Sequence, residues 1–510
     1  MSGRSVSTWM AVAALLVPPA LPCWPAFAQA ADPDKPAAQP AADADGSTPA
    51  DAATPGGTAK PGAKPGAKPA AKPAAKHPTK PDAAKQAAAK EEAAEFKAAR
   101  PEIQRQMKSK TVSTRVEGVR RLAGYPQVEA AKLAITAGMV DEAPEVRTAA
   151  YETLLKFSTN EEICRYFLDQ LNRQARRNDL SEKSVPMLAA LLASPVQDID
   201  LSTRELLDSL DKSRKGELLV TELADQLGTR DAEDSIPLLV KLSKTQLFTD
   251  HFGVRRAIVD ALVRIDRIEA IGELIRFLTD VQGEARADIL KYLASVTGEH
   301  FNGDAKAWAM WWRQDHDGFV LPGPAARQVV AFAAADTSYY YGIPIYARKL
   351  VFVFDTSSSM AGGRLNAAKR ELNDAIRNLH EETQFSLVIF NGDVEPWQRR
   401  LVPANKGNKE AAIAFVMAQQ ARSSTASFDA LEAAFLFDAE AIYFLSDGEP
   451  TTGKVVAPVD IVNLISLGNR SRRESIYSIG LAPGPPDSAM ELFMRALAEQ
   501  NMGQYRRVDE

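Results

Sequence analysis

Cysteine is nearly absent from this sequence, with 2 residues in a chain of 510. Cys23 lies in an N-terminal segment that we expect to be removed, so Cys164 is left alone. A single thiol excludes an intrachain disulfide even in an oxidising compartment, and no C-x-x-C motif is present. Cys164 stands in an apolar helical pattern, where a small buried side chain is the usual outcome.

Histidine is also rare, and none of the 5 residues falls in the polar loops of the C-terminal third that are discussed below. The chain lacks the H-E-x-x-H motif and a glycine-rich phosphate-binding loop. The sequence therefore shows neither a nucleophile with its base nor a metal-activated water with an acid, and we predict that the protein is not an enzyme. The net charge of −5 is small for this length and predicts no nucleic-acid partner.

Residues 1–30 have the composition of a secretory signal peptide. Arg4 precedes an apolar run at residues 9–21, and the small residues at 28–30 form a cleavage site of the A-x-A type. Prolines shorten the run below the roughly 20 residues of a membrane-spanning helix, which disfavours an uncleaved anchor. The residues before Cys23 are not those of a lipoprotein. We expect an exported protein of bacterial type, in the periplasm, the cell envelope or outside the cell, with no transmembrane segment in the mature chain.

Residues 31–95 are dominated by alanine, proline and lysine. Lys60, Lys64, Lys68 and Lys72 are each followed by proline, which excludes a helix there and favours an extended, hydrated chain. We predict a disordered linker that holds the folded domains away from a wall or membrane. Because its lysines are regularly spaced, contact with an anionic polymer or lipid surface stays open as an alternative.

Residues 96–319 carry apolar positions at helical spacing, separated by short polar breaks. Residues 146–155 align with residues 254–263, and fainter copies begin at Val119 and at Ala285. The separation of the two best copies equals three units of about 36 residues, which is close to the period of helix-pair repeats. The region resembles HEAT and armadillo-like α-solenoids. This resemblance implies either a surface that binds another protein or a helical spacer without a ligand.

Residues 320–348 form a connector to the C-terminal third. Just before it, Trp308, Trp311 and Trp312 share one helical stripe, which we interpret as an apolar cap on the last repeat. Within it, the three tyrosines at 339–341 precede a Gly-Ile-Pro turn, and we expect an extended segment that packs on the following domain. A ligand-binding aromatic patch is the open alternative.

The C-terminal third is organised around a strand that ends in a polar loop. Residues 350–354 are all apolar and rich in valine and phenylalanine, as in a buried central strand. Asp355, Ser357 and Ser359 follow, at the end of the strand where open α/β sheets bind ligands. One carboxylate and two hydroxyl groups provide the oxygen ligands that suit Mg²⁺. On this motif alone, a turn that caps the next helix explains the same residues.

Two later segments favour the metal site. Thr425 precedes a short apolar helix, and the apolar residues 441–445 form a second buried strand, which leads to Asp447. Strands and helices alternate from residue 349 to residue 510, which predicts a doubly wound α/β sheet. We therefore predict a multidomain chain in which an α-solenoid of HEAT-like helical repeats precedes a Rossmann-like α/β domain.

The motifs D-T-S-S-S-M, T-A-S-F-D-A-L and F-L-S-D-G-E-P-T occur in this order along the chain. With them, residues 349–510 resemble the von Willebrand factor A (VWA) domain with its metal-ion-dependent adhesion site (MIDAS). Ser423 and Ser424 stand where the family usually has glycines before the threonine. The resemblance implies a site for Mg²⁺ or Mn²⁺ that is formed by Asp355, Ser357, Ser359, Thr425 and Asp447.

By resemblance to adhesion-type VWA domains, we expect an exported adhesion or scaffold protein whose metal captures a Glu or Asp carboxylate of a protein partner. Two alternatives stay open. In one, the protein is an envelope assembly factor whose helical repeats recognise the partner, so that removal of the metal leaves binding intact. In the other, the protein is a metal-dependent hydrolase that uses Glu449 as a base.

Overall fold

The computed structural model describes residues 80–229, 234–327 and 337–509, with side chains from residue 90 onward. These residues form one compact unit, in which a helical array precedes an α/β domain. The order of the two regions predicted from the sequence is therefore confirmed. The predicted signal peptide and residues 31–79 of the predicted linker lie outside the described residues.

Helix α1 (Lys80–Met107) begins inside the segment that the sequence assigns to a disordered linker. The linker prediction is therefore wrong for residues 80–95. Pro81 stands in the first turn of the helix, where its missing amide breaks no hydrogen bond, and the residues that follow are rich in alanine, lysine and glutamate. The ring of Phe96 is buried 5.3 Å from the ring of Tyr125, which attaches the helix to the array.

The helices of the array follow one another with short connections. They are α2 (Val112–Arg121), α3 (Val128–Leu133), α4 (Pro144–Lys156), α5 (Glu161–Arg176), α6 (Val185–Leu192), α7 (Gln197–Ser209), α8 (Arg214–Thr229), α9 (Ser235–Leu242), α10 (Gln246–Asp250), α11 (Phe252–Ile265), α12 (Ile268–Phe277), α13 (Gly283–Thr297) and α14 (Ala305–Asp315). In the part of the chain that the structure describes, no helix has the length and apolar content needed to cross a membrane.

The array has two layers of helices. In one layer α2, α4, α6, α8, α11 and α13 pack side by side in this order, and the other contains α3, α5, α7 and α10 and then α9, α12 and α14. The four similar sequence segments lie in α2, α4, α11 and α13, which all belong to the first layer. The sequence repeat therefore corresponds to a repeated position in the stack, as in an α-solenoid.

Aromatic side chains close the end of the array. Trp308 is 1% exposed, and the rings of Trp311 and Trp312 both pack against Phe319. A Cβ atom on Gly272 of α12 would lie 3.1 Å from the indole nitrogen of Trp312, so the two helices are in close contact. The interpretation of the tryptophan stripe as a cap is confirmed. Cys164 is also buried as predicted, and burial raises the pKa of its thiol.

The α/β domain alternates strands with helices. Its strands are β1 (Ser338–Tyr340), β2 (Ile343–Ile345), β3 (Lys349–Asp355), β4 (Gln384–Phe390), β5 (Val394–Pro396), β6 (Val402–Pro403), β7 (Ala441–Ser446), β8 (Ser475–Leu481) and β9 (Tyr505–Val508). Its helices are α15 (Gly363–Asn378), α16 (Lys406–Ala418), α17 (Ser427–Ala434), α18 (Pro458–Asn469) and α19 (Ala489–Glu499).

The main sheet has the strand order β5-β4-β3-β7-β8-β9, and β6 also pairs with β4. Strands β4, β3, β7, β8 and β9 are parallel, whereas β5 and β6 run antiparallel to β4. Strand β3 is central and its residues from Leu350 to Asp355 are buried, which explains its unbroken apolar sequence. The chain passes from β3 to β4 on one side and later to β7 on the other, so the sheet has a topological switch point at β3.

The tyrosine-rich end of the connector is a hairpin of β1 and β2. Tyr340 is buried, and its ring centroid lies 5.2 Å from that of Phe352 and 6.2 Å from that of Tyr443. These two partners belong to β3 and β7. The hairpin therefore packs on the α/β domain, which supports the predicted structural role of the segment.

The array docks on the amino-terminal ends of the central strands. Arg256 of α11 donates from Nη1 to the carbonyl of Arg473 at 2.9 Å and to Ser475 Oγ at 2.7 Å. Glu440, which directly precedes β7, accepts a hydrogen bond from the backbone N–H of Glu284 in α13. Ser475 is the first residue of β8. Because the contacts involve the starts of β7 and β8, the carboxyl ends of these strands point away from the array.

Candidate metal centre

The predicted site residues lie at the carboxyl ends of β3 and β7. Strand β3 ends at Asp355 and strand β7 at Ser446, and the two strands are parallel neighbours. The Oγ atom of Ser359 lies 3.0 Å from that of Ser357 and donates to Asp447 Oδ1 at 2.7 Å. The first and third loops are therefore in direct contact at the switch point of the sheet.

Asp355 is fully buried. Its Oδ1 accepts from the backbone N–H of Ser357 at 2.7 Å, and its Oδ2 accepts from Ser446 Oγ at 2.5 Å. Burial raises the pKa of Asp355 to about 6, the hydrogen bonds from Ser446 and Ser357 oppose this shift, and the nearby charge of Asp447 adds to it. These donors are neutral, so a bound cation would stabilise the buried carboxylate.

Thr425 joins the same cluster through the second loop. The backbone of Gly448, next to Asp447, lies between the hydroxyl groups, because a Cβ atom there would be 3.3 Å from Ser359 Oγ and 3.8 Å from Thr425 Oγ1. The Thr425 N–H donates to Thr451 Oγ1 at 2.9 Å, and the Thr425 carbonyl accepts from the Thr451 N–H at 2.9 Å. The position of Thr425 is thus set by hydrogen bonds to the third loop.

The serines that replace the family's glycines are accommodated by the backbone. Ser423 adopts the left-handed conformation with φ +64°, which glycine adopts most readily. Its carbonyl accepts from the N–H of Ser358 at 3.1 Å and from the Ser358 hydroxyl at 2.8 Å. Across the loop, a Cβ atom on Gly392 would lie 2.5 Å from Ser423 Oγ, so the glycine at that position leaves space for the serine.

Arg364 was not predicted from the sequence as part of the site. It lies in the first turn of α15, and its Nη1 donates to Asp447 Oδ2 at 2.6 Å and to the carbonyl of Ser359 at 3.2 Å. The Asp447 side chain is fully buried. In the sequence, Arg364 directly follows two glycines at the end of the first loop, and this position could have indicated that it lies near the site.

A second group of residues that the sequence reading missed connects the loops. The N–H of Thr356 donates to the carbonyl of Phe390 in β4 at 2.7 Å, and Asn391 Nδ2 donates to Thr356 Oγ1 at 3.1 Å. The carbonyl of Asn391 accepts from the N–H of Ala426 at 2.8 Å. Asn391 therefore holds the first loop and the second loop in one arrangement. In the sequence, Asn391 directly follows the apolar strand β4, and this position could have indicated its role.

The chemistry of these side chains fits a hard divalent cation. Two carboxylates and three hydroxyl groups provide oxygen donors, which Mg²⁺ and Mn²⁺ prefer. Within residues 80–229, 234–327 and 337–509, no cluster of three or more His, Cys, Asp or Glu side chains is placed to hold a metal. A site here would accordingly depend on the hydroxyl groups as much as on the acids.

Comparison with known proteins identifies the α/β domain. Residues 348–507 match the family model of the von Willebrand factor type A domain. The inter-alpha-trypsin inhibitor heavy chain H4 of Homo sapiens is 30% identical over 182 residues, which cover 33% of this chain and 19% of that protein. The heavy chain H3 of Bos taurus is 36% identical over 90 residues, which cover 18% of this chain and 10% of that protein. The chain thus spans less than a fifth of the length of these relatives.

Solved structures give weaker similarities, over 32% of the chain. A von Willebrand factor type A protein from Catenulispora acidiphila aligns with 21% identity and a TM-score of 0.28, over 32% of this chain and 38% of that one. An aerotolerance-related membrane protein from Bacteroides fragilis aligns with 19% identity and a TM-score of 0.26, over 32% of this chain and 92% of that one. On the family match, residues 348–507 of this protein form a von Willebrand factor type A domain.

Proposed function

We propose that this protein is an exported, non-enzymatic adhesion or scaffold protein whose VWA domain binds Mg²⁺ or Mn²⁺ and, through the metal, a Glu or Asp carboxylate of a protein partner. The VWA domain supports a protein-interaction role. The observation that carries the metal-dependent part is the convergence of oxygen side chains around a buried acid. The residues that would hold the cation are Asp355, Ser357, Ser359, Thr425 and Asp447.

The charges of these residues explain why a partner carboxylate is the expected ligand. When bound, the cation neutralises nearby carboxylates and offers a position to a further anionic ligand. Asp355 and Asp447 bring two negative charges, whereas Ser357, Ser359 and Thr425 bring neutral oxygens. Because these hydroxyl groups carry no charge, they orient the site without reducing the attraction of the bound cation for an anion. An acidic side chain of a partner meets that requirement.

The docked array supports the same function. It contacts the amino-terminal ends of β7 and β8 through Glu284 and Arg256, so the carboxyl ends with the site face the other way. The array would then hold the VWA domain with its site directed toward a partner. Glu449, the base of the hydrolase alternative, is exposed to solvent beside the loop, and we assign no catalytic step to it.

The second candidate function is that of an envelope assembly factor whose helical array recognises the partner. The two-layered stack favours it, because solenoids of this kind present one long surface and commonly bind proteins. On this proposal the repeats belong to the HEAT or armadillo-like class. The two candidates differ in one respect, which is whether the bound partner is released when the metal is removed.

The test is calorimetry of Mg²⁺ and Mn²⁺ binding to the full chain, with Asp355→Ala and Asp374→Ala. Asp374 is the matched control, because it lies exposed on α15 and pairs with Arg377. We expect the wild type and the control to bind the cation and Asp355→Ala to lose binding, with folding checked by circular dichroism. A wild type that binds no divalent cation at millimolar concentration would sink the metal-dependent function. If Asp355→Ala still retains its partner, the array becomes the recognition element.

A further inference from the structure

The candidate metal centre contains a positive charge that belongs to the protein itself. Arg364 Nη1 is 2.6 Å from Asp447 Oδ2, and 28% of the arginine side chain is exposed whereas the Asp447 side chain is fully buried. The same nitrogen donates to the carbonyl of Ser359 at 3.2 Å. The arginine therefore reaches from the surface to a buried carboxylate and is held there by two acceptors.

The two acids of the site differ in their partners. Both oxygens of Asp447 are engaged, Oδ1 by the hydroxyl of Ser359 and Oδ2 by Arg364. Asp355 instead accepts from the neutral donors Ser357 and Ser446. A charge-assisted hydrogen bond to a buried carboxylate is stronger than a bond between neutral groups. Asp447 is consequently the acid that is already neutralised, and Asp355 is the acid that gains most from an added cation.

We propose that Arg364 is a tethered cation that competes with the divalent metal for Asp447 and thereby sets the affinity of the site for the metal. This inference rests on the proposed function. A metal that interacts with Asp447 must displace Arg364 or share the carboxylate with it. Displacement breaks the ion pair, and sharing places two positive charges next to each other, so both oppose metal binding. Arg364 is a positioning residue in this role, because it acts on the metal through Asp447.

The arginine also changes the charge of the loaded site. Two carboxylates and one dication are neutral together, so Arg364 leaves the loaded site with one net positive charge. Such a site attracts a partner carboxylate more strongly than a neutral one does. Arg364 therefore weakens metal binding and strengthens the attraction for the acidic ligand, and it raises the metal concentration at which the partner binds.

The experiment compares Mn²⁺ binding to the full-length wild type, Arg364→Gln and Arg377→Gln by calorimetry and by electron paramagnetic resonance of the free ion. Arg377 is the matched control, because it lies on the same helix and its ion pair with Asp374 is exposed. A neighbouring like charge shifts the pKa of a charged group by about one unit or more, which is about a tenfold change in an equilibrium constant. Removal of the positive charge in Arg364→Gln should by the same effect tighten Mn²⁺ binding at least about tenfold. Arg377→Gln should match the wild type.

The outcomes distinguish a failure of this inference alone from a failure of the proposed function. An Arg364→Gln protein that is folded and binds Mn²⁺ no more tightly than a binding-competent wild type overturns the competition and leaves the metal-dependent function standing. Binding by Arg364→Gln with none by the wild type supports the competition, while it shows that the native protein does not use the metal at that concentration. Absence of binding in both proteins overturns the inference and the metal-dependent function together.

Discussion

The hydroxyl group of Tyr477 in β8 donates a hydrogen bond of 2.8 Å to Glu284 Oε2 in α13, two residues that lie 193 positions apart in the sequence. Both side chains are buried where the array meets the VWA domain. Burial raises the pKa of Glu284 to about 7, the charge of Arg256 opposes this shift, and the charge of Asp288 adds to it. The contact between the two regions therefore contains an acid that titrates near neutral pH.

The pH dependence of stability follows from this raised pKa. In the folded protein Glu284 keeps its proton up to about pH 7, whereas its ordinary pKa is 4.5. The folded state thus holds more protons in this range, and the free energy of unfolding should fall as the pH rises from about 4.5 to about 7. We expect Glu284→Gln to lose less stability over the same range, measured by urea unfolding at several pH values.

Other buried acids contribute to the same trend, so the comparison must be between two proteins. Burial also raises the pKa of Glu474 to about 8 and that of Asp355 to about 6. Both acids are present in the wild type and in Glu284→Gln, and the difference between the two slopes isolates Glu284. Equal slopes would contradict the structure, because they would show that the pKa of Glu284 is the same in the folded and unfolded states.

The two ends of α13 offer a matched pair of glycine substitutions. Gly283 has a φ of +66°, and an added Cβ would lie 1.8 Å from Glu440 Oε2. Glu440 is not free to move away, because its Oε2 accepts from the N–H groups of Glu284 and Arg348. Gly298 has a φ of +72°, and no atom lies within 4 Å of its added Cβ.

We therefore expect Gly283→Ala to destabilise the protein more than Gly298→Ala. Both substitutions impose the backbone strain of a left-handed alanine, about 1 kcal/mol. Gly283→Ala also breaks the buried hydrogen bonds of Glu440, which should bring its total to about 3 kcal/mol. Urea unfolding gives both values. Similar losses would mean that Glu440 moves without cost and that the contact between array and VWA domain is loose.

Local sequence patterns predicted the centre of the sheet and the site loops. The apolar run of β3 needs burial on both faces, and this requirement places Asp355 at the carboxyl end of a central strand. The sequence did not predict the ion pair between Arg364 and Asp447, because it depends on the direction in which α15 leaves the first loop. A contact such as that of Glu284 with Tyr477 depends on how two separately patterned regions pack, and no local period encodes it.

The error at the end of the linker has a different cause. The pairs of lysine and proline predict an extended chain up to about residue 80, and the low complexity of the composition continues beyond the last of these pairs. Alanine, lysine and glutamate are good helix formers where proline is absent. The overall composition therefore wrongly predicted a disordered chain after the last lysine-proline pair, whereas the absence of further prolines before Phe96 would have predicted the helix. Phe96 then provides a buried contact that stabilises α1.

Thr425→Ala should separate partner binding from metal binding. A neutral hydroxyl contributes about 0.5–1.5 kcal/mol, so Mn²⁺ affinity should fall by less than about tenfold. Retention on a poly-glutamate surface should fall more, because Thr425 acts mainly on the geometry of the position that an acidic ligand takes. The control is Thr452→Ala. It removes a neighbouring hydroxyl but keeps the hydrogen bond from the backbone N–H at position 452 to the Thr425 carbonyl. A larger loss of Mn²⁺ binding than of surface retention would contradict this role.

Export with cleavage after Ala30 is the final prediction, and mass spectrometry of the protein purified from its native host tests it. The small residues Ala28 and Ala30 match the positions that signal peptidase recognises, whereas Gln29 between them does not contribute. Ala30→Arg should therefore block processing and leave the segment attached, and Gln29→Arg should still give a mature chain that begins at Ala31. A purified wild-type chain that retains Met1, or one that carries a lipid on Cys23, would contradict the prediction. A lipid on Cys23 would still place the chain outside the cytoplasm, whereas a chain that keeps Met1 and stays in the cytoplasm would also remove the compartment in which the adhesion function is expected.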